Sequence, residues 1–257
     1  EQVAIDLAGQ VQFNSYGGGT HSGTATYDLS VDVNGNIIET TGGGAGGPFV
    51  PYMSGADQIA RTEGAATYNT SLGFQALQLL AAGGTHNTMM GSIAGDNLTT
   101  GSQNTALGYA ALGAETTGGT NTAIGYSSLS GQNATIDAYN TAVGWNTGSA
   151  MLSGDFNTIM GAAAGGALTT GGRNVAIGYT ALAAEDTTGR VVAIGYQALE
   201  NQNAAANTYN IAIGYRSGRD IIGGVQNILI GAQSGGAITS GSYNTALGYN
   251  ALSTETG

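Results

Sequence analysis

The sequence predicts an all-β fold, a repetitive parallel β-roll or β-solenoid fibre. Three observations carry this. The first is a motif, Asn104-Thr105-Ala106-Leu107-Gly108-Tyr109-Ala110-Ala111-Leu112, which returns at 121–129, 174–182 and 244–252. Looser copies begin at Asn69, Asn87, Asn140, Asn157, Val191, Asn210 and Asn227. The second is spacing. The motif glycines (Gly73, Gly91, Gly108, Gly125, Gly144, Gly161, Gly178, Gly195, Gly214, Gly231 and Gly248) follow one another at 17 to 19 residues. Gly108, Gly178 and Gly248 stand 70 residues apart, so the unit is a four-rung block with a two-residue insertion always in the same rung. This period is too short for helical repeats, which need about 33 residues or more. The third is alternation: Thr105, Leu107 and Tyr109 fall on one face, and Asn104, Ala106, Gly108 and Ala110 on the other.

Residues 1–41 lie outside the repeat. Gln2 to Leu7 and Gln10 to Phe13 read as short strands. Leu29 to Val33 alternates, Asn34-Gly35 signals a type I′ turn, and Asn36 to Glu39 returns as a second strand, which together predict an N-terminal β-hairpin fibre module. Residues 42–64 form a joint and transition segment. Gly42 to Gly47 is flexible in composition, and Pro48 and Pro51 exclude a central strand. Ser54 to Arg61 suits one or two helical turns capped by Ser54. The segment is expected to seat the first rung.

Residues 65–257 are the array of eleven rungs. Each rung is expected to hold about two short strands and two turns. At about 4.8 Å per rung the rod is roughly 50 Å long. The β-branched, aliphatic and aromatic face suits packing, and the other face is small. The residue after each motif glycine is Phe74, Tyr109, Tyr126, Trp145, Tyr179, Tyr196, Tyr215 or Tyr249, with Ser92, Ala162 and Ala232 in the same rung of each block. A thin roll with one small face buries little apolar area by itself. The stripe is therefore expected to be a core seam or, the favoured reading, a seam between chains. The threonine column, broken by Val175, Val192, Ile211 and Ile228, fits a half-buried β-branched position better than a flat ice-facing array.

The motif Asn-Thr-Ala-(Ile/Leu/Val)-Gly-Tyr-x-(Ala/Ser)-Leu resembles the head repeats of trimeric autotransporter adhesins. It is closer still to related arrays in phage tail fibres. The resemblance covers residues of about 65 to 257. It implies a parallel β-roll assembled as a homotrimer, and either a spacer or an adhesive role. The rung length exceeds that of the usual adhesin head repeat, and Val191 departs from the motif asparagine. The strand pair around Asn34-Gly35 is also similar to modules set between segments of phage fibres.

Forty-six of the 257 residues are glycine, but the strict periods argue for ordered turns rather than low complexity. There is no lysine, and five arginines face sixteen carboxylates for a net charge of −11. That balance disfavours nucleic acid and anionic membrane surfaces as partners. It suits a self-repelling fibre outside the cell, and the resemblance implies the setting of a virion tail appendage. Cysteine is absent, which excludes disulfides and thiolate metal sites. No apolar run is long enough to span a membrane as a helix. The chain starts without methionine and stops within a block, so it is expected to be a piece of a longer polypeptide.

No catalytic, cofactor or metal site is expected. His21 and His86 lie in different segments and read as surface residues. Glu185 and Asp186 are neighbours in a turn, unlike a glycosidase pair set about 5 to 9.5 Å apart across a cleft. Glu115, Glu185 and Glu255, 70 residues apart, read as a solvated edge that keeps rods from sticking together, with a cation-binding ladder as the other option. The long turns 131–139 and 201–209 stand four rungs apart on one edge. They put forward Asn133, Tyr139, Asn203 and Tyr209 as candidate glycan contacts, insertions being a common binding face. The expected function is a structural and adhesive segment of a phage or phage-like tail fibre. The alternative is the head of a bacterial trimeric surface adhesin. A polysaccharide-degrading spike is disfavoured by the carboxylates.

Overall fold

The computed structural model describes residues 68–253, except Ala82, Thr188 and Ala205, together with the backbone of five short strands before them. The chain divides into two compact units, 1–47 and 48–257. In the first, β1 (Val3–Ile5) pairs antiparallel with β2 (Val11–Phe13), and β3 (Asp28–Val31) with β4 (Ile37–Thr40). The turn expected at Asn34-Gly35 lies outside the described residues.

The second unit is a parallel β-solenoid. It opens with β5 (Ile59–Ala60), a strand where the sequence suggested helical turns, which pairs antiparallel with the first rung. Eleven three-residue strands follow: β6 (Thr70–Leu72), β7 (Thr88–Met90), β8 (Thr105–Leu107), β9 (Thr122–Ile124), β10 (Thr141–Val143) and β11 (Thr158–Met160). Then come β12 (Val175–Ile177), β13 (Val192–Ile194), β14 (Ile211–Ile213), β15 (Ile228–Ile230) and β16 (Thr245–Leu247). From β6 to β16 each pairs parallel with the next in sequence, with motif positions in register: Thr105 opposite Thr122, Ala106 opposite Ala123, Leu107 opposite Ile124.

Each rung holds one strand, not two. The far side keeps a rung-to-rung ladder, as in Leu112 N–H to the Ser128 carbonyl at 3.0 Å and Gly95 N–H to the Ala111 carbonyl at 3.0 Å. Its backbone cannot be a strand because alternate residues are left-handed: Ala110 has φ 53° and Leu112 φ 55°, and the same positions repeat in the other rungs. Each left-handed L-residue costs roughly 1–2 kcal/mol, a strain that surrounding structure must over-determine.

The faces are the reverse of the packed-face expectation. Ala106, Ala123, Ala142, Ala176, Ala193 and Ala212 point inward and are fully buried. Thr105 is half-buried, and Leu107 and Tyr109 lie outside. The roll closes on itself because Leu112, Leu129, Leu182 and Leu199 come across from the far side to meet the alanines. The expectation that the single roll buries little is therefore corrected: its interior is a continuous apolar column.

Volume is exchanged across the interior within most rungs; Ala142 and Ala212 instead face Gly148 and Gly218, where Leu129 and Ile159, and Leu199 and Leu229, reach in from the adjacent rungs. Where the inward strand residue is large, as Met89, Ile159 and Leu229, the opposite leucine position is Gly95, Gly165 and Gly235. A Cβ on Gly95 would lie 2.8 Å from the Met89 sulfur, and one on Gly235 2.7 Å from Leu229 Cδ1. The motif glycines answer another demand. Gly108 has φ +140°, and a Cβ there would meet the Gly125 carbonyl oxygen at 2.4 Å. Along this column the next rung leaves no room for a side chain.

Candidate functional site

A line of buried asparagines runs beside the alanine column. Each Oδ1 accepts the backbone N–H of the asparagine in the next rung: Asn69 from Asn87 at 2.8 Å, Asn87 from Asn104 at 2.9 Å, Asn140 from Asn157 at 2.8 Å. Most Nδ2 groups donate to a glycine carbonyl, as Asn87 to Gly101 at 2.9 Å and Asn140 to Gly154 at 2.7 Å. A buried polar side chain must find partners, and here its partners are the neighbouring rungs. The sequence placed asparagine on the small face but did not reveal this function. The signal was its strict repetition. Val191 is the one position with no side-chain oxygen to offer.

The carboxylate ladder is not a solvated edge. Glu115 and Glu185 are fully buried, in the column that other rungs fill with Leu98, Met151, Leu168, Ile221 and Ile238. The correction has a physical cause. Glu115 Oε1 accepts the N–H groups of Gly118 at 2.7 Å and Thr116 at 3.0 Å, and Oε2 that of Ala134 at 3.1 Å. Two backbone donors of its own turn and one from the widened rung that follows thus take the place of water. Gln132 and Gln202 stand one rung on; Gln202 Nε2 donates to Glu185 at 3.0 Å and to Thr208 at 3.0 Å. Glu255 lies outside the described residues. No group of three or more metal-ligating side chains occurs among the described residues.

The outer surface carries the candidate interaction site. Among the described residues, all but four of the exposed large hydrophobic side chains lie on the outward strand positions or the columns flanking them; the four are Leu79, Ile136, Leu152 and Ile222. The trailing column, just after the motif glycine, holds the predicted seam. Phe74, Tyr109, Tyr126, Trp145, Tyr179, Tyr196, Tyr215 and Tyr249 are all exposed, Tyr109 by 47% and Trp145 by 58%. They do not form a core seam within the chain. Parallel rungs put like residues one rung apart, so rings stack: Tyr109 on Tyr126 at 5.1 Å, Tyr179 on Tyr196 at 5.2 Å, Tyr196 on Tyr215 at 5.4 Å. Arg216 sits over Tyr215 at 5.0 Å and donates to Gln197 at 2.7 Å. Nearby, the Asp220 hydrogen bond raises the Arg219 guanidinium above its ordinary range.

The leading column, just before the motif asparagine, is Tyr68, His86, Gln103, Thr120, Tyr139, Phe156, Arg173, Arg190, Tyr209, Gln226 and Tyr243, all with φ between 53° and 64°. Two candidate glycan contacts, Tyr139 and Tyr209, belong to this column and are exposed; Asn133 and Asn203 are exposed outside it. Tyr139 stacks on Phe156 at 5.1 Å, and Tyr209 lies under Arg190 at 5.6 Å. Asn133 accepts from the Thr116 hydroxyl at 2.7 Å. His86 stacks on Tyr68 at 4.9 Å. No helix of the described residues is long and apolar enough to cross a membrane. No known protein family matches this sequence, and neither a curated protein nor a solved structure is significantly similar to it.

Proposed function

We propose that the chain is a structural and adhesive segment of a phage or phage-like tail fibre, in which sister copies assemble as a homotrimer over the outward strand face. One observation carries the reading: an apolar face running the length of an eleven-strand parallel stack. Half-exposed aromatic rings of about 200 Å² each leave on the order of 1,000 Å² of apolar surface there. Soluble monomers rarely expose more than about 300–600 Å² in one patch, and a stable interface covers about 800 Å² per partner. A second copy is the occupant that fits, because a repeating face finds its complement in an identical repeat. The trailing column also follows the 70-residue period, as a shared seam requires.

The rod then acts as a spacer that holds a more distal element away from a particle. Its leading column and its inserted turns at 131–139 and 201–209 are left free to touch a host-surface glycan. The acidic, lysine-free composition supports an extracellular setting. Sedimentation equilibrium tests the assembly. The expected mass is that of three 25.4 kDa chains, and a stable monomer at micromolar concentration overturns it. A capsid-attachment or intramolecular chaperone domain in the flanking sequence favours a virion; a heptad stalk followed by an outer-membrane barrel favours a bacterial adhesin instead.

A further inference from the structure

The leading column departs from the 70-residue period in three of its four rungs: His86, Phe156 and Gln226 differ, and the other two departures bring in arginine. Positions one block apart are Gln103, Arg173 and Tyr243, and Thr120 and Arg190. The same left-handed corner is therefore built without arginine in the other blocks. The fold does not call for Arg173 or Arg190, so what they contribute lies elsewhere. They are two of only five cations in a chain of sixteen carboxylates. Consecutive parallel rungs hold their backbones about 4.8 Å apart, a spacing at which two cations repel.

The surroundings do little to cancel that repulsion. Arg173 faces Asp155 at 3.7 Å, with the arginine side chain 55% exposed. Arg190 has no ion pair among the described residues; its guanidinium lies over the Tyr209 ring, as that of Arg173 lies over Phe156 at 5.5 Å. Phe156, Arg173, Arg190 and Tyr209 thus form four consecutive rungs of one exposed column, about 14 Å long at the rung spacing. The two widened turns bound it, ending at Tyr139 and Tyr209. Tyr139 and Arg173 cover the two faces of Phe156, so the rings bound this strip by their exposed edges, and the two forked donors between them are suited to the carboxylate of an acidic sugar.

We infer that the corner formed by Phe156, Arg173, Arg190 and Tyr209 binds a carboxylate-bearing glycan, the arginines taking the carboxylates and the ring edges flanking the sugar. This rests on the glycan-contact part of the proposed function and narrows it to acidic sugars. The test uses the whole chain and tetragalacturonate, with maltotetraose as a neutral control and inorganic phosphate as an anion control, followed by isothermal titration at low salt. Tetragalacturonate is expected to bind, and the Arg173→Gln/Arg190→Gln variant to bind at least tenfold more weakly. Gln103 and Gln226 already occupy this column, so the variant is expected to keep the parent thermal unfolding. Arg216→Gln, on the other corner, leaves binding unchanged.

Four outcomes overturn the inference: no binding of tetragalacturonate to the folded chain, equal binding by the double variant, equal affinity for phosphate, or binding of maltotetraose alone. The last leaves the adhesive reading standing. A double variant that dissociates the assembly also overturns it, because the arginines would then pair with carboxylates of a second copy. Titration is readable whether the chain sediments as a trimer or a monomer, so failure of the assembly reading is separately visible.

Discussion

At the scale of single residues, stability rests on backbone spacing and polar satisfaction. Gly108→Ala adds a Cβ 2.4 Å from the next rung's carbonyl at φ +140°. The expected loss is about 2–4 kcal/mol from strain and overpacking together. Gly223→Ala, with nothing within 4 Å of the new Cβ, is the control. Urea denaturation compares them, and equal midpoints would contradict the close-stacking account. Val191 offers a gain instead. One block earlier Asn121 occupies its place and accepts from Asn140 N–H at 3.1 Å and Gln132 Nε2 at 3.1 Å. Val191→Asn gives Asn210 N–H the same acceptor and is expected to stabilise by about 1 kcal/mol. A lower thermal midpoint would show that the ladder is not the reason for the motif asparagine. Glu115 makes the complementary point. Glu115→Leu matches its column but orphans the N–H groups of Thr116, Gly118 and Ala134, at about 1–3 kcal/mol per buried group. Glu115→Gln keeps one oxygen acceptor and is expected to lose less. Equal losses in thermal unfolding would mean those donors find water.

At the scale of the element, the rung is one strand and one left-handed return, packed by exchange of volume. Met89 opposite Gly95 does the work of Ala106 opposite Leu112. Met89→Ala leaves a cavity and is expected to cost about 2–5 kcal/mol. Gly95→Leu overfills the same space at about 1–3 kcal/mol or more. Joined, they recreate the pattern of the rung that follows, since Leu112 holds φ 55° where Gly95 has φ +55°. The double variant is expected to recover most of the loss, and simple additivity in a double-mutant cycle would refute the exchange. The pairing was open to view in the sequence at Met89, Ile159 and Leu229 with Gly95, Gly165 and Gly235. An expected second strand on the far side hides it. In that geometry Leu112 and Gly95 have no fixed opposite number.

At the scale of the molecule, solenoid stability is close to a sum of rungs and rung interfaces. The outward face adds nothing to that sum until something covers it. Replacing Tyr109, Tyr126, Tyr179 and Tyr196 by Ser is expected to shift sedimentation towards the monomer while far-ultraviolet circular dichroism is retained, because none of the four reaches the interior. Loss of the fold with loss of assembly would instead mean that the roll depends on its copies. Period, strand positions, the crowded glycine column and the aromatic stripe were all determined by the amino-acid order, since parallel in-register pairing brings like residues of successive rungs together. Which face turned inward was not. Alternation divides Thr105, Leu107 and Tyr109 from Asn104, Ala106 and Gly108 but is symmetric about the sheet. Only closure of the coil, with leucines crossing from the left-handed return, selected the small face. The same closure drew Glu115 and Glu185 inside; the backbone and glutamine donors that satisfy them are set by the turn geometry, which residue types alone do not specify.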